Sequence, residues 1–273
     1  MNAAKPSKSA RLHAASGGSA PTGGKSAANA ASVGAHPTAA GPRIDVGAIA
    51  FDLDGTLLDT VHELAAAVNA LLAELGYPPL AKDVVGTMIG KGMANLVRRA
   101  LALATNVSPA AVDEGEVKDA MLRYQAHYAS RLGHETRLFP GMVEGLARLA
   151  AMGIPLGVIT NKATRFVRPH LAQAGIEGYF AVVIGGDDLP TKKPDPGPLR
   201  HAAAAFGVPP SRLLMVGDSA NDVEAARGAG CPVLVVPYGY REGMPVHDLR
   251  ADGIVASVDA VADRVRYIAP TQK

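Results

Sequence analysis

From residue 44 onward, short apolar runs alternate with longer segments whose apolar positions recur every three or four residues. The first run, 46–51, is continuously apolar, which predicts a strand buried on both faces. In 62–75, Leu64, Val68, Leu71, Leu72 and Leu75 share one side, which predicts a helix stopped by Gly76 and the pair Pro78 and Pro79. Helical patterns follow over 92–103 and 117–132. After Pro140 and Gly141 the alternation is regular. Helices are expected at 142–151, 164–174, 199–206 and 222–229, and strands at 154–160, 181–184, 213–216 and 233–236. Strands separated by helices predict an α/β fold with a doubly wound parallel sheet. The interval 61–139 breaks the rhythm. It reads as wholly helical, and it is far longer than the dozen or so residues a crossover needs. The economical expectation is a helical cap subdomain at 61–139, inserted into an α/β core made of 43–60 and 140–273.

Residues 1–42 follow neither pattern. They are mostly Ala, Ser, Gly, Pro and Lys, too poor in large apolar side chains to offset the entropy of ordering, and are expected to be a disordered tail. The tail lacks the apolar segment of a secretory signal. Its basic, acid-free composition faintly resembles a transit peptide, but Gly and Pro interrupt any amphipathic helix. Within it, "GSAPTGGKS" imitates a phosphate-binding loop. The pattern requires Gly where Ser19 stands, and no strand precedes it.

Composition narrows the picture further. Hydrophobic residues make up 48% of the chain and aromatics 4%, with no Trp, so a sizeable core must be built from aliphatic side chains. No stretch approaches the ~20 apolar residues of a membrane span. The single cysteine, Cys231, excludes an intrachain disulfide and suits a reducing, cytoplasmic setting; opening the run CPVLVV, it is expected to be a buried packing residue. The net charge of +2 misleads, because five bases and no acid fall in residues 1–43. The remainder carries 22 Lys and Arg against 25 Asp and Glu, a net of −3, which gives no ground for nucleic-acid binding. Monomer and homodimer both remain open.

The candidate chemistry lies where apolar runs end. Asp52 and Asp54 follow the first strand, Thr160 and Asn161 close the second, and Asp218 and Asp222 follow "LLMVG". Lys193 lies in "TKKPDPGPL", a loop stiffened by three prolines. In open parallel sheets, ligands bind beyond such carboxyl ends. Taken singly, these acids are also explained as solvated loop residues. Asp222 fits a capping position, and Ser219 an N-cap.

The four motifs "DLDGT", "VITNK", "KKPDP" and "GDSANDVEAA" come in an order that resembles the haloacid dehalogenase superfamily of phosphotransferases, over 44 to about 260. That resemblance implies a Mg²⁺-dependent phosphatase acting on a small phosphorylated metabolite. Asp52 is then the nucleophile that becomes an aspartyl phosphate, and Asp54 the general acid and base, in an environment that first keeps it protonated. Thr160, Asn161 and Lys193 bind the transferring oxygens. Asp52 and Asp218 hold the metal with the carbonyl of Asp54, and Asp222 orders a metal-bound water. Gly55 lets the chain turn close to the phosphate, and Thr56 supports the loop. The second Asp favours phosphate over carbon–halogen cleavage. In the cap, "MIGKGMANLVRRAL" at 88–101 resembles the segment of phosphoglycolate phosphatases. This implies that Gly90 and Gly92 admit a small substrate and that Lys91 meets its carboxylate; an exposed lysine at a helix start is the alternative. A sugar phosphomutase would share the acids, and a non-catalytic phosphate-binding regulator would not need Asp54.

Overall fold

The computed structural model describes residues 42–269, so the tail expectation, save for its last residue, lies outside the described residues. The first apolar run breaks at Gly47 into two strands instead of one. β1 (Ile44–Val46) pairs with β10 (Val265–Tyr267) in a two-stranded parallel ribbon, while β2 (Ala48–Phe51) enters the main sheet. The Gly47 N–H donates to the Arg212 carbonyl, and a Cβ there would lie 2.7 Å from Val208 Cγ1, so the chain changes sheets where only glycine fits.

The main sheet also contains β5 (Leu156–Ile159), β6 (Phe180–Ile184), β7 (Leu213–Gly217), β8 (Val233–Val235) and β9 (Gly253–Ile254). Its order is β6-β5-β2-β7-β8-β9, with every pair parallel. The chain lays β5 and β6 on one side of β2, then returns to lay β7 to β9 on the other. The strand order therefore reverses at β2, where a crevice opens at the carboxyl ends.

The pleat sends alternate residues to opposite faces. Ile49 and Phe51 of β2 join one apolar cluster; Ala48 and Ala50 join the other. Helices α5 (Met142–Ala151), α6 (Thr164–Gln173) and α9 (Val258–Arg264) cover the first face with Leu146, Leu149, Val167, Leu171 and Val261. Helices α7 (Gly197–Ala205) and α8 (Ala220–Ala229) cover the second with Leu199, Ala202, Ala203, Ala225 and Ala226. Cys231 is buried in this second cluster, and burial pushes its thiol up to about 11, away from the reactive thiolate.

A third cluster belongs to α1 (Val61–Glu74), α2 (Lys82–Gly86), α3 (Met93–Thr105) and α4 (Glu114–Ala129). Helix α4 starts earlier than its apolar pattern suggests, because the Asp113 carboxylate caps the N–H groups of Gly115 and Glu116. The antiparallel ribbon of β3 (Leu58–Asp59) and β4 (Arg137–Leu138) draws together the chain before α1 and the chain after α4. Phe166 of α6 joins this cluster edge-on to Tyr128, at 5.1 Å between ring centres. Among the described residues no helix is long and apolar enough to cross a membrane.

Candidate active site

Strands β2 and β7 run in register, with Phe51 beside Val216, so the residues after them emerge together. Asp52 follows β2 directly, and Asp218 follows β7. Between them Gly55 has φ +91°, and a Cβ there would lie 2.6 Å from Asp218 Oδ2. Only glycine allows the loop to turn this tightly against the acid. Thr56 donates its hydroxyl to Asp218 Oδ1 at 3.0 Å, and the Tyr240 N–H donates to Oδ2.

Asp222 serves the same corner from α8. Its Oδ2 accepts the N–H groups of Asp218 and Ser219 and the Ser219 hydroxyl, closing a capping box at the start of the helix. Its Oδ1 lies 2.6 Å from Lys193 Nζ, which also sits 2.9 Å from Asp52 Oδ1. Both oxygens of Asp222 are thus engaged by protein donors. The capping reading of this acid and its place at the site hold together.

Asp52, Asp218 and Asp222 each offer a carboxylate oxygen, within 4.8 Å of one another, and all three are buried. Burial, and then like charge, pushes Asp52 up to about 6 and Asp218 well above the carboxylate range, with Lys193 pulling Asp52 back. Burial opposes the charge on Lys193, but Asp222 and Asp52 outweigh it and hold the ammonium well above its ordinary pKa. Buried carboxylates that repel one another through hard oxygen atoms fit a divalent cation such as Mg²⁺ or Ca²⁺. The Asp54 carboxylate stands outside this cluster.

Asp54 meets a partner that the motif reading passed over. Lys162 Nζ lies 2.9 Å from its Oδ1 and 3.3 Å from its Oδ2. Burial alone would raise the Asp54 carboxyl, but the Lys162 ammonium outweighs it and holds the group below its usual range. This corrects the expectation of an environment that keeps Asp54 protonated. Behind Lys162 lies a buried polar chain. The Tyr128 ring faces its ammonium at 4.8 Å, and the Tyr128 hydroxyl donates to Glu63 Oε1 at 2.9 Å. Glu63 Oε2 accepts the Gly133 N–H, and His170 Nε2 lies 3.2 Å from Oε1 and 2.6 Å from Thr136 Oγ1. Burial, aided by Lys162, pushes His170 down to about 3, so it is a neutral imidazole and its contact with Glu63 is not an ion pair. His170 is therefore a buried packing histidine.

Thr160 and Asn161 stand at the end of β5, where the Thr160 N–H is anchored on the Ile184 carbonyl of β6. The Thr160 hydroxyl accepts the Lys162 N–H. The Asn161 side chain is held by two backbone carbonyls. Its amide donates to the Gly90 carbonyl at 2.9 Å and to the Lys193 carbonyl at 2.8 Å, tying three segments together. A cavity of about 30 Å³ lies beside these residues, lined by Asp52, Asp54 and Lys162 from the sheet ends. Leu64, Ile89, Gly90, Gly92, Met93 and Leu96 line it from the helical segment. Gly90 and Gly92 both have positive φ, 114° and 86°, so the backbone passes close to this space. Lys91 does not line it. Its side chain is 49% exposed, and Nζ lies 3.0 Å from Glu242, as in the alternative of an exposed lysine.

This arrangement has counterparts. Residues 49–236 match the family model described as haloacid dehalogenase-like hydrolase. The phosphoglycolate phosphatase of Thiobacillus denitrificans is 44% identical over 219 residues, 80% of this chain and 95% of that protein. The phosphoglycolate phosphatase of Nitrosospira multiformis is 45% identical over 215 residues, 79% and 93% of the two chains. Among solved structures, that of a predicted phosphoglycolate phosphatase from Haemophilus somnus superposes with a TM-score of 0.75 at 35% identity, covering 79% of this chain and 96% of that one. With a match across most of its length and acids gathered where the strand order reverses, the chain belongs to the haloacid dehalogenase-like hydrolase family.

Proposed function

We propose that this chain is a Mg²⁺-dependent phosphatase that hydrolyses small phosphomonoesters, 2-phosphoglycolate foremost, to the alcohol and inorganic phosphate. The observation that carries the reading is the convergence of Asp52, Asp218, Asp222 and Lys193 at the carboxyl ends of β2 and β7, with Asp54 two residues beyond Asp52. The two relatives compared above, at 44% and 45% identity, bear the name phosphoglycolate phosphatase.

In this reading the helices of 61–139 form a cap over the sheet ends. Asp52 and Asp218 would hold the cation with the Asp54 carbonyl, while Asp222 fixes Lys193 and the loop after β7. When bound, Mg²⁺ offsets the charge shared by phosphate and carboxylates and favours in-line attack. An Asp52 oxygen attacks phosphorus, an oxygen–phosphorus bond forms to Asp52, and the bond to the leaving oxygen breaks. Lys193, the Thr160 hydroxyl and the Asn161 backbone N–H steady the transferring oxygens. Asp54 gives the leaving oxygen a proton. It then takes one from the water that cleaves the aspartyl phosphate, which regenerates Asp52 and releases phosphate. Because Lys162 holds Asp54 ionised, the first proton arrives with the substrate, whose second phosphate ionisation lies near pH 6.

The experiment is a kcat/KM comparison across phosphorylated metabolites with Mg²⁺, scored by phosphate release. The reading requires 2-phosphoglycolate to lead. A lead by hexose or polyol phosphates overturns the substrate. Conversion of glucose 1-phosphate to glucose 6-phosphate makes the chain a mutase, and no turnover on any ester makes it a phosphate-binding regulator.

A further inference from the structure

A substrate that carries a carboxylate needs a cation beside its leaving group, and Lys91 does not supply one. Lys162 is the one basic residue among those lining the cavity at Asp54. Its side chain is 1% exposed, so it is not a surface charge with water as its alternative partner. An ammonium has three N–H donors. Among the described residues, the hydrogen bonds of Lys162 Nζ go only to the Asp54 carboxylate, and the Tyr128 ring takes up the charge on another side without accepting a full hydrogen bond. The two bonds to Asp54 leave one of the three donors without a carbonyl, carboxylate or hydroxyl acceptor among the described residues, available to an acceptor in the cavity.

The position of that donor selects a class of molecule. Asp54 is the group that addresses the leaving oxygen, and Lys162 Nζ touches both Asp54 oxygens. In a 2-phospho acid the carboxylate carbon is two bonds from the ester oxygen. A cation in contact with the acid that serves the ester oxygen therefore also lies within reach of that carboxylate. Thr160 and Asn161 line the cavity on the sheet side, while the wall from the helical segment is apolar, from Leu64, Ile89, Met93 and Leu96, with the backbone of Gly90 and Gly92 closing in. That helical wall, where the leaving group would lie, offers no side-chain partners for the hydroxyls of a sugar or polyol. We infer that Lys162 is the specificity-determining residue that binds the carboxylate of a short 2-hydroxy-acid phosphate; this rests on the phosphatase reading above.

The test compares 2-phosphoglycolate with its neutral amide, 2-phosphoglycolamide, which has the same size and the same ester. Wild-type enzyme prefers the acid in kcat/KM by roughly ten- to 150-fold, the range of a charge-assisted hydrogen bond. In Lys162→Met, which keeps the length of the side chain under Tyr128, that preference collapses to within about threefold on the same scale, and Lys162→Arg restores part of it. A change in the Asp54 environment alone lowers both substrates together and leaves their ratio intact, so an unchanged ratio overturns the inference. If Lys162→Met does not fold, the wild-type ratio still decides, because near-equal rates on acid and amide overturn it. A wild-type enzyme that ignores both compounds while hydrolysing other esters refutes the proposed substrate instead. A preference for the acid that survives in Lys162→Met refutes the role of Lys162 and leaves that substrate standing.

Discussion

Lys193→Met isolates the electrostatics of the carboxylate cluster. Lys193 Nζ lies 2.9 Å from Asp52 and 2.6 Å from Asp222, inside a group of three acids whose oxygens are within 4.8 Å of one another. At an effective dielectric near 20, each of its two contacts is worth about 6 kcal/mol before desolvation is counted. Desolvating the ammonium offsets most of that. The loss measured when one partner of a buried pair is removed is about 3–5 kcal/mol. The loss has a pH signature. With Lys193 present, native Asp52 ionises at about 6. Without it, native Asp52 keeps its proton to higher pH, while the unfolded chain has lost it near pH 4. A native state that binds more protons than the unfolded one loses stability as pH rises. Below pH 6 both proteins hold that proton and this part of the difference vanishes. Between pH 6 and pH 8 the variant falls further by about 1.4 kcal/mol per unit, up to about 2.7 kcal/mol. Urea unfolding of both proteins in EDTA, at pH 5.5 and pH 8, measures the two losses. Equal losses at the two pH values refute the account, because they mean that Lys193 contributes packing and not charge compensation.

Three further outcomes follow from the same geometry. Asp52→Asn abolishes phosphate release, yet its melting temperature is no lower than wild type, since one of three crowded like charges is gone; a large drop in melting temperature makes the residue structural. Mg²⁺ at about 100 times its Kd stabilises the protein by about 2.7 kcal/mol, a rise of about 5–11 °C in calorimetry, and Asp218→Asn removes the rise. Gly55→Ala combines a positive φ with a Cβ 2.6 Å from Asp218 Oδ2, so it costs about 1–3 kcal/mol of stability and lowers metal affinity; an unchanged metal titration excludes a role for this turn in setting the acid.

The sheet and its acids were legible in the sequence because both are local signals. A strand buried on both faces is a continuous apolar run, and a charge that ends it marks a carboxyl terminus, as with Asp52 after β2 and Asp218 after β7. The break at Gly47 was hidden inside an apolar run, since nothing local says that β1 finds its partner at 265–267. Glu63 and His170 each carry a local sign of burial. Glu63 is an acid beside the apolar stripe of α1, and His170 falls on the side of α6 that holds Phe166 and Val167, so both had to be buried and partnered. For Lys91 the sequence left two roles open, for the opposite reason. Its partner Glu242 is 151 residues away, and no spacing rule reaches that far.

The distribution of charge separates what the sheet does from what the helices do. Asp52, Asp218, Asp222 and Lys193 compensate one another on elements fixed by parallel pairing and by the capping box of α8, so their geometry does not depend on the leaving group. The leaving-group side is built from the helical wall and from Lys162, whose charge is balanced by Asp54 in front and steadied by the Tyr128 ring and Glu63 behind. Tyr128 comes from α4 and Glu63 from α1, while Lys162 follows β5, so this second network crosses from the helices to the sheet. A substitution in the first network therefore changes reactivity toward every ester alike. A substitution in the second is expected to change which ester is chosen, because it alters the buried ammonium in contact with both Asp54 and the cavity beside it.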